Sequence, residues 1–183
     1  MNEMRIAGND GWYTSALEYL VRVAQDLCGC QSMDEVTAIV RKAARELTGA
    51  DGATLILKDN GNCFYVEENA ISPLWKGQRF PMSNCISGWV MMHKQTCFIE
   101  DVSADSRIPY DLYRPTFVKS LLMVPIMPAS PIGAIGNYWA TSRMPLAKEI
   151  KLLESLANIT AYTILRVRGK TDAHENLGML ELA

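Results

Sequence analysis

The pattern that most constrains this chain lies near its end. There Leu146, Ile150, Leu153, Ala157, Thr160, Ile164 and Val167 recur at alternating steps of four and three. Such spacing is the seam of a coiled coil. Leu152, Leu156 and Ile159 add a second apolar face, so the helix is expected to cover the protein's own sheet with one face and meet a partner helix with the other. Pro145 suits its start, because the N–H that proline lacks has no helical partner there. The periodicity predicts a helix over 145–168.

Two further helices are expected at the other end. Ser15-Ala16-Leu17-Glu18 and Ser32-Met33-Asp34-Glu35 both fit the capping-box pattern, in which a hydroxyl and a carboxylate satisfy two otherwise unpaired N–H groups. Behind them Leu17, Leu20, Val21, Ala24 and Leu27 form one apolar stripe, and Val36, Ile39, Val40, Ala43 and Leu47 another. Gly29 and Gly49 are placed to end these helices.

Strand signals begin at Gly52. The β-favouring runs 53–57 and 63–66 flank Asn60-Gly61, a step suited to a two-residue hairpin turn. Residues 67–83 contain Pro73, Gly77 and Pro81 and show no period, which predicts a loop carrying Trp75 across a surface. A short helix over 86–93, a strand over 96–100 and strands over 120–126 and 132–139 complete the pattern. Between them, 101–115 is a long irregular excursion of the kind that serves function in a compact domain.

Element order therefore predicts an α+β fold with a mainly antiparallel sheet. One domain over 14–168 is expected, with flexible segments at 1–13 and 169–183. The chain has 183 residues, 49% of them hydrophobic, enough to bury a single core. Its formal charge of -2 lacks the concentrated basic field that nucleic acids or anionic membranes recruit. No run approaches the roughly 20 apolar residues needed to cross a bilayer, so no direct membrane insertion is expected. Cys28, Cys30, Cys63, Cys85 and Cys97 follow no secretory pattern and are expected to be reduced thiols in a cytoplasmic protein. The residues around Cys28-Gly29-Cys30 supply no metal partners, and this segment reads as a helix end with small buried thiols.

Several blocks in order resemble a known family. Cys85-Ile86-Ser87-Gly88-Trp89-Val90, Phe98-Ile99-Glu100-Asp101-Val102, Asp105-Ser106-Arg107-Ile108, Ser120-Leu121-Leu122-Met123-Val124-Pro125-Ile126 and Pro131-Ile132-Gly133-Ala134-Ile135-Gly136-Asn137-Tyr138-Trp139-Ala140 look like the successive blocks of a GAF domain. The likeness spans roughly Ala16 to Arg168 and is nearest to the sensory GAF domains of bacterial two-component sensor histidine kinases. It implies a PAS-related central antiparallel sheet, helices on one face, and a loop-covered pocket on the other. The function implied is binding of an unidentified small molecule, or relay of a signal, through the terminal helices to a signalling partner. A homodimer through the 146–167 helix is the expected assembly. The alternative is a dimerisation module with a filled core.

Pocket candidates are Tyr65, Trp75, Cys85, Trp89, Phe98, Asp101, Tyr110, Tyr113, Phe117 and Trp139, since small-ligand sites favour apolar walls with a few polar groups. Relatives that attach a bilin carry a Cys-His pair before the strand that here begins at Ser120, where this chain has Arg114-Pro115-Thr116-Phe117-Val118-Lys119. This departure argues against covalent bilin at that site and leaves any cofactor unknown. It also argues against the GAF-like free methionine sulfoxide reductases, whose chemistry needs a nucleophilic and a resolving thiol. Cys85 lies near one of their cysteines, but the second block is missing. The chain is accordingly expected not to be an enzyme. His93 and His174 lack partners at metal-ligand spacing, so no metal is expected, and Gly169 and Gly178 are expected to break any helix around His174.

Overall fold

The computed structural model describes residues 10–180, with side chains described for 11–169. Helices α1 (Asp10–Gly29) and α2 (Met33–Thr48) lead into strands β1 (Gly52–Asp59), β2 (Asn62–Ala70) and β3 (Arg79–Pro81). Helix α3 (Ile86–His93), strand β4 (Cys97–Ile99), the one-turn helix α4 (Tyr110–Tyr113), strands β5 (Ser120–Ile126) and β6 (Gly133–Trp139), and helix α5 (Ala147–Leu180) follow. The six strands form one antiparallel sheet in the order β3-β2-β1-β6-β5-β4.

Local chemistry explains several boundaries. Ser32 caps α2 with the full reciprocal box to Glu35, and Gly49 ends it in the left-handed region at φ 61. Asn60 and Gly61 both take positive φ, the geometry a two-residue hairpin requires between β1 and β2. At Ser15 the sequence expectation fails: α1 begins at Asp10, and Ser15 lies inside it. Trp12 and Tyr13 pack against the helix-side core and Lys148 sits 4.9 Å over the Tyr13 ring, so tertiary contacts extend the helix beyond its local signal.

Two further expectations are corrected. The 67–83 stretch is not all loop, because β2 runs on to Ala70 and Arg79–Pro81 adds an edge strand. Gly169 and Gly178 do not interrupt α5, which continues to Leu180, so the segment expected to be flexible is helical up to that residue. Residues 1–9 and 181–183 lie outside the described residues.

Each face of the sheet carries its own core. On one side Ala53, Leu55, Leu57, Leu122, Val124, Ile126, Ile135 and Trp139 meet α1, α2 and α5. Asn137, fully buried, donates from Nδ2 to the Ala44 carbonyl at 2.7 Å and to Thr48 Oγ1 at 2.6 Å, tying β6 to the last turn of α2. The α5 seam lands here too: Leu153, Ala157, Ile164 and Val167 are buried within the protomer. This corrects the expectation that one of its apolar faces is left for a partner. The outward side of α5 instead presents Lys151, Ser155, Asn158, Tyr162 and Leu165. Helix α1 runs parallel beside α5, with Tyr13 near Lys148 at one end and Arg166 donating to the carbonyls of Leu27 and Cys30 at the other.

Candidate functional site

The opposite face is roofed by the chain between β2 and β5. Strands alternate their side chains, so Ala134, Gly136 and Tyr138 of β6 share this face while Ile135 and Trp139 point to the helices. Gly136 is required by what lies over it: a Cβ there would come within 2.5 Å of the Tyr138 hydroxyl. That hydroxyl shares a 2.9 Å hydrogen bond with Thr54 of β1.

Trp75 is the centre of the roof. It packs against Tyr65 at 5.7 Å, Tyr113 at 4.8 Å and Tyr138 at 5.5 Å between ring centroids, while Phe80 meets Tyr65 edge-on at 5.4 Å. Its backbone is held by one carboxylate. Glu68 accepts from the N–H groups of Leu74, Trp75 and Lys76 at 3.0, 2.9 and 2.9 Å. Gly77, at φ 83, then turns the chain so that its N–H reaches the Tyr65 carbonyl at 2.7 Å. Burial pushes the phenols of Tyr65, Tyr113 and Tyr138 above their ordinary range, so all three stay neutral at physiological pH.

Beside these rings two thiols meet. Cys63 of β2 and Cys85 at the start of α3 lie in the same buried cluster, where each perturbs the ionisation of the other. Ser87 donates to Cys85 Sγ at 3.3 Å, and shares a 3.1 Å hydrogen bond with the Tyr65 hydroxyl. The Cys63 thiol lowers the pKa of Cys85 most, with Ser87 and the Gly88 N–H adding to it against the opposing effect of burial. Cys63 is pushed up correspondingly, so the pair shares its first ionisation with the negative charge on Cys85. When protonated, Cys85 donates to the Pro81 carbonyl at 3.5 Å.

Toward the edge of the roof, a cleft of about 90 Å³ is lined by Asp101, Ser103, Tyr110, Tyr113, Arg114, Thr116 and Lys119 together with Val102 and Val118. Asp101 is tied locally, accepting from the Ser103 N–H at 2.8 Å and from its hydroxyl, which hold the carboxyl below its usual range. Arg114 and Lys119 bring two positive charges to this cleft and form no ion pair among the described residues.

The structure thus gathers only part of the expected site. Tyr65, Trp75, Cys85 and Tyr113 are buried together. Trp89 and Phe117 are half-buried at the margin, with Trp89 sandwiched between His93, stacked at 4.3 Å, and the Arg107 guanidinium at 4.7 Å. Asp101 and Tyr110 stand at the small cleft. Phe98 is 43% exposed, on the side of β4 opposite Cys97 and Ile99, and Trp139 belongs to the helix-side core, so neither lines this face. Tyr138, Cys63 and Glu68 were missed. The period-two alternation of β6 carries the signal for Tyr138, since Tyr138 and Trp139 cannot share a face. The expected hollow is occupied at its centre by the rings of Tyr65, Trp75, Tyr113 and Tyr138. No group of three or more His, Cys, Asp or Glu side chains able to hold a metal occurs among the described residues. Nor is any helix among them long and apolar enough to cross a membrane.

Residues 30–164 match the GAF domain family, and the chain belongs to it. The GAF domain is in general a sensory and regulatory fold. Comparison with curated proteins gave no significant match. Among solved structures, the chain is similar to the GAF domain of a phosphoenolpyruvate-protein phosphotransferase from Coxiella burnetii, at TM-score 0.77 and 17% identity over 87% of this chain and 98% of that one. Free methionine-R-sulfoxide reductase from Neisseria meningitidis superposes at TM-score 0.73 and 16% identity, covering 86% of this chain and 93% of that one. A domain of a putative two-component sensor histidine kinase from Sinorhizobium meliloti gives TM-score 0.63 and 16% identity, over 79% and 99%. At these identities the likeness establishes the fold.

Proposed function

We propose that this GAF domain is a regulatory relay that binds a small anionic molecule in the cleft beside Tyr113 and passes its occupancy to α5. The observation that carries the reading is a continuous run of contacts from that cleft to the first turn of α5. Val102 N–H bonds to the Lys119 carbonyl at 2.9 Å, and Lys119 N–H to the Trp139 carbonyl at 2.8 Å. The Trp139 ring lies 4.7 Å under the Arg143 guanidinium, Arg143 pairs with buried Glu149, and Glu149 accepts the Leu146 N–H at 2.8 Å. Movement of Lys119 toward a bound anion would therefore pull on the start of the helix. A ligand shifts such an element only by its differential affinity for two positions.

The charge of the cleft supports an anion: Arg114 and Lys119 outnumber the single carboxylate, Asp101, along a lining whose volume suits a carboxylate or phosphate group. The output is proposed to be a homodimer joined along the outer faces of α1 and α5, where Leu17, Val21, Tyr162 and Leu165 are exposed at 40%, 57%, 78% and 46%. Titration of phosphate, sulfate and small carboxylates into the protein, followed by thermal unfolding, tests the reading. A ligand at 100 times its Kd stabilises the native state by roughly 2.7 kcal/mol, and Arg114→Gln should abolish the shift. Silence across the panel would overturn it. That result favours the second reading, a dimerisation module without a ligand, which rests on the packed rings of Tyr65, Trp75, Tyr113 and Tyr138.

A further inference from the structure

We infer that Cys63 and Cys85 are a reversible dithiol–disulfide site, a covalent clasp between β2 and the start of α3 that oxidants close. The inference is independent of whether the domain binds an anion. Its basis is how the chain brings the two sulfurs together. Cys63 pairs in register with Phe80 of the edge strand β3, and the turn Met82–Asn84 leads from that strand straight into Cys85. The return is held tight, since a Cβ on Gly88 would fall 1.9 Å from the Met82 carbonyl. Two cysteines distant in sequence thereby become neighbours in one buried cluster, close enough for each to perturb the other's ionisation. Cys30 instead makes a weak contact to the backbone carbonyl of Asp26, as a buried thiol acting as a small hydrophobe does.

The pair is also asymmetric. Cys63 is fully buried, whereas Cys85 keeps 7% of its surface. Ser87 Oγ donates to the Cys85 sulfur and favours its thiolate, the reactive form. Cys85 is thus the attacking sulfur and Cys63 the resolving one. With a hydroperoxide, the Cys85 thiolate forms an S–O bond as the O–O bond breaks. The released alkoxide or hydroxide takes up a proton and leaves as alcohol or water. The Cys63 sulfur then attacks the sulfenic sulfur, forming S–S and breaking S–O, and the departing hydroxide leaves as water with the Cys63 proton. Two thiols lose two electrons and the hydroperoxide gains them. A thiol reductant reverses the clasp by exchange.

The test uses the full chain carrying Cys28→Ser, which removes the exposed thiol that would otherwise couple two molecules. Folded protein is titrated with hydrogen peroxide, digested without reduction and mapped by mass spectrometry. The expected product is an intramolecular link between the Cys63 and Cys85 peptides, with loss of two thiols per chain, reversed by dithiothreitol. Cys63→Ser should stop at a Cys85 sulfenic acid captured by dimedone, and Cys85→Ser should leave Cys63 unreacted. If either variant fails to fold, the peptide map of the Cys28→Ser protein still decides. Absence of the link while the protein is native, or its appearance only in urea, would overturn the inference and leave the anion titration unaffected.

Discussion

Gly136 and Tyr138 sit two residues apart on one face of β6, and the tyrosine ring folds back over the glycine. Gly136→Ala would place a methyl group 2.5 Å from the Tyr138 hydroxyl, 2.8 Å from Met123 Cε and 2.9 Å from Tyr138 Cζ. Met123 has a flexible end that can yield; Tyr138 is packed against Trp75 and cannot without leaving Thr54. Overpacking a rigid site costs roughly 1–3 kcal/mol, and breaking the Tyr138–Thr54 hydrogen bond about 1 kcal/mol more. The substitution should therefore cost about 3 kcal/mol, or a fall in Tm of roughly 6–12 °C for a chain of this size. Tyr138→Phe alone should cost about 1.5 kcal/mol, because it strands the Thr54 hydroxyl. Together the two should cost about 3 kcal/mol rather than the additive 4.5, since the phenylalanine removes the atom that the new methyl strikes. Urea unfolding of the four proteins at one protein concentration measures this coupling of about 1.5 kcal/mol. Additivity within about 0.5 kcal/mol, or a neutral Gly136→Ala, would show that the ring does not need the missing side chain.

Glu68→Ala should free the N–H groups of Leu74, Trp75 and Lys76, lower stability by about 1–3 kcal/mol, and make tryptic cleavage after Lys76 faster; unchanged cleavage would count against the carboxylate as the roof's anchor. Asp105 is held below the usual carboxylate range chiefly by its hydrogen bonds to Arg107, at 2.9 and 2.6 Å. Because the folded pKa is depressed, the associated stability is present above the unfolded value of about 3.9 and is lost as pH falls through the lower folded value. Asp105→Asn should thus flatten the fall in stability below about pH 4, and, at a partly exposed pair, cost under about 1 kcal/mol at neutral pH. Leu17→Glu with Tyr162→Glu should shift the protein to a monomer by light scattering without unfolding it; a persisting dimer would place the interface elsewhere.

Signals confined to a few neighbouring residues are legible in the sequence alone. The Ser32 box, the Gly49 terminus, the Asn60-Gly61 turn and the run of α3 depend on backbone groups within reach of one another along the chain. An identical Ser-x-x-Glu pattern at Ser15 misled because the contacts of Trp12 and Tyr13 extend α1 past it. Edge strand β3 was invisible for a similar reason: a three-residue strand ending in proline is set by β2, which it needs on one side only. Glycine at 169 did not stop α5, as a helical glycine costs only about 1 kcal/mol.

Of the candidate site, aromatic character was readable and position was not. Choosing Trp139 over Tyr138 ignored the strand's alternation, and Phe98 failed because its strand is short enough to leave that side uncovered. Cys63 reads only as a reduced thiol in the sequence because nothing in its neighbourhood along the chain points to Cys85. The order of elements and the periods of their apolar residues are written in the sequence, since each follows from the repeat of one backbone conformation. Which apolar face meets which, that the α5 seam turns inward, and that two thiols and four rings converge beneath one roof were decided by tertiary packing, because such contacts join residues whose separation along the chain carries no local energy.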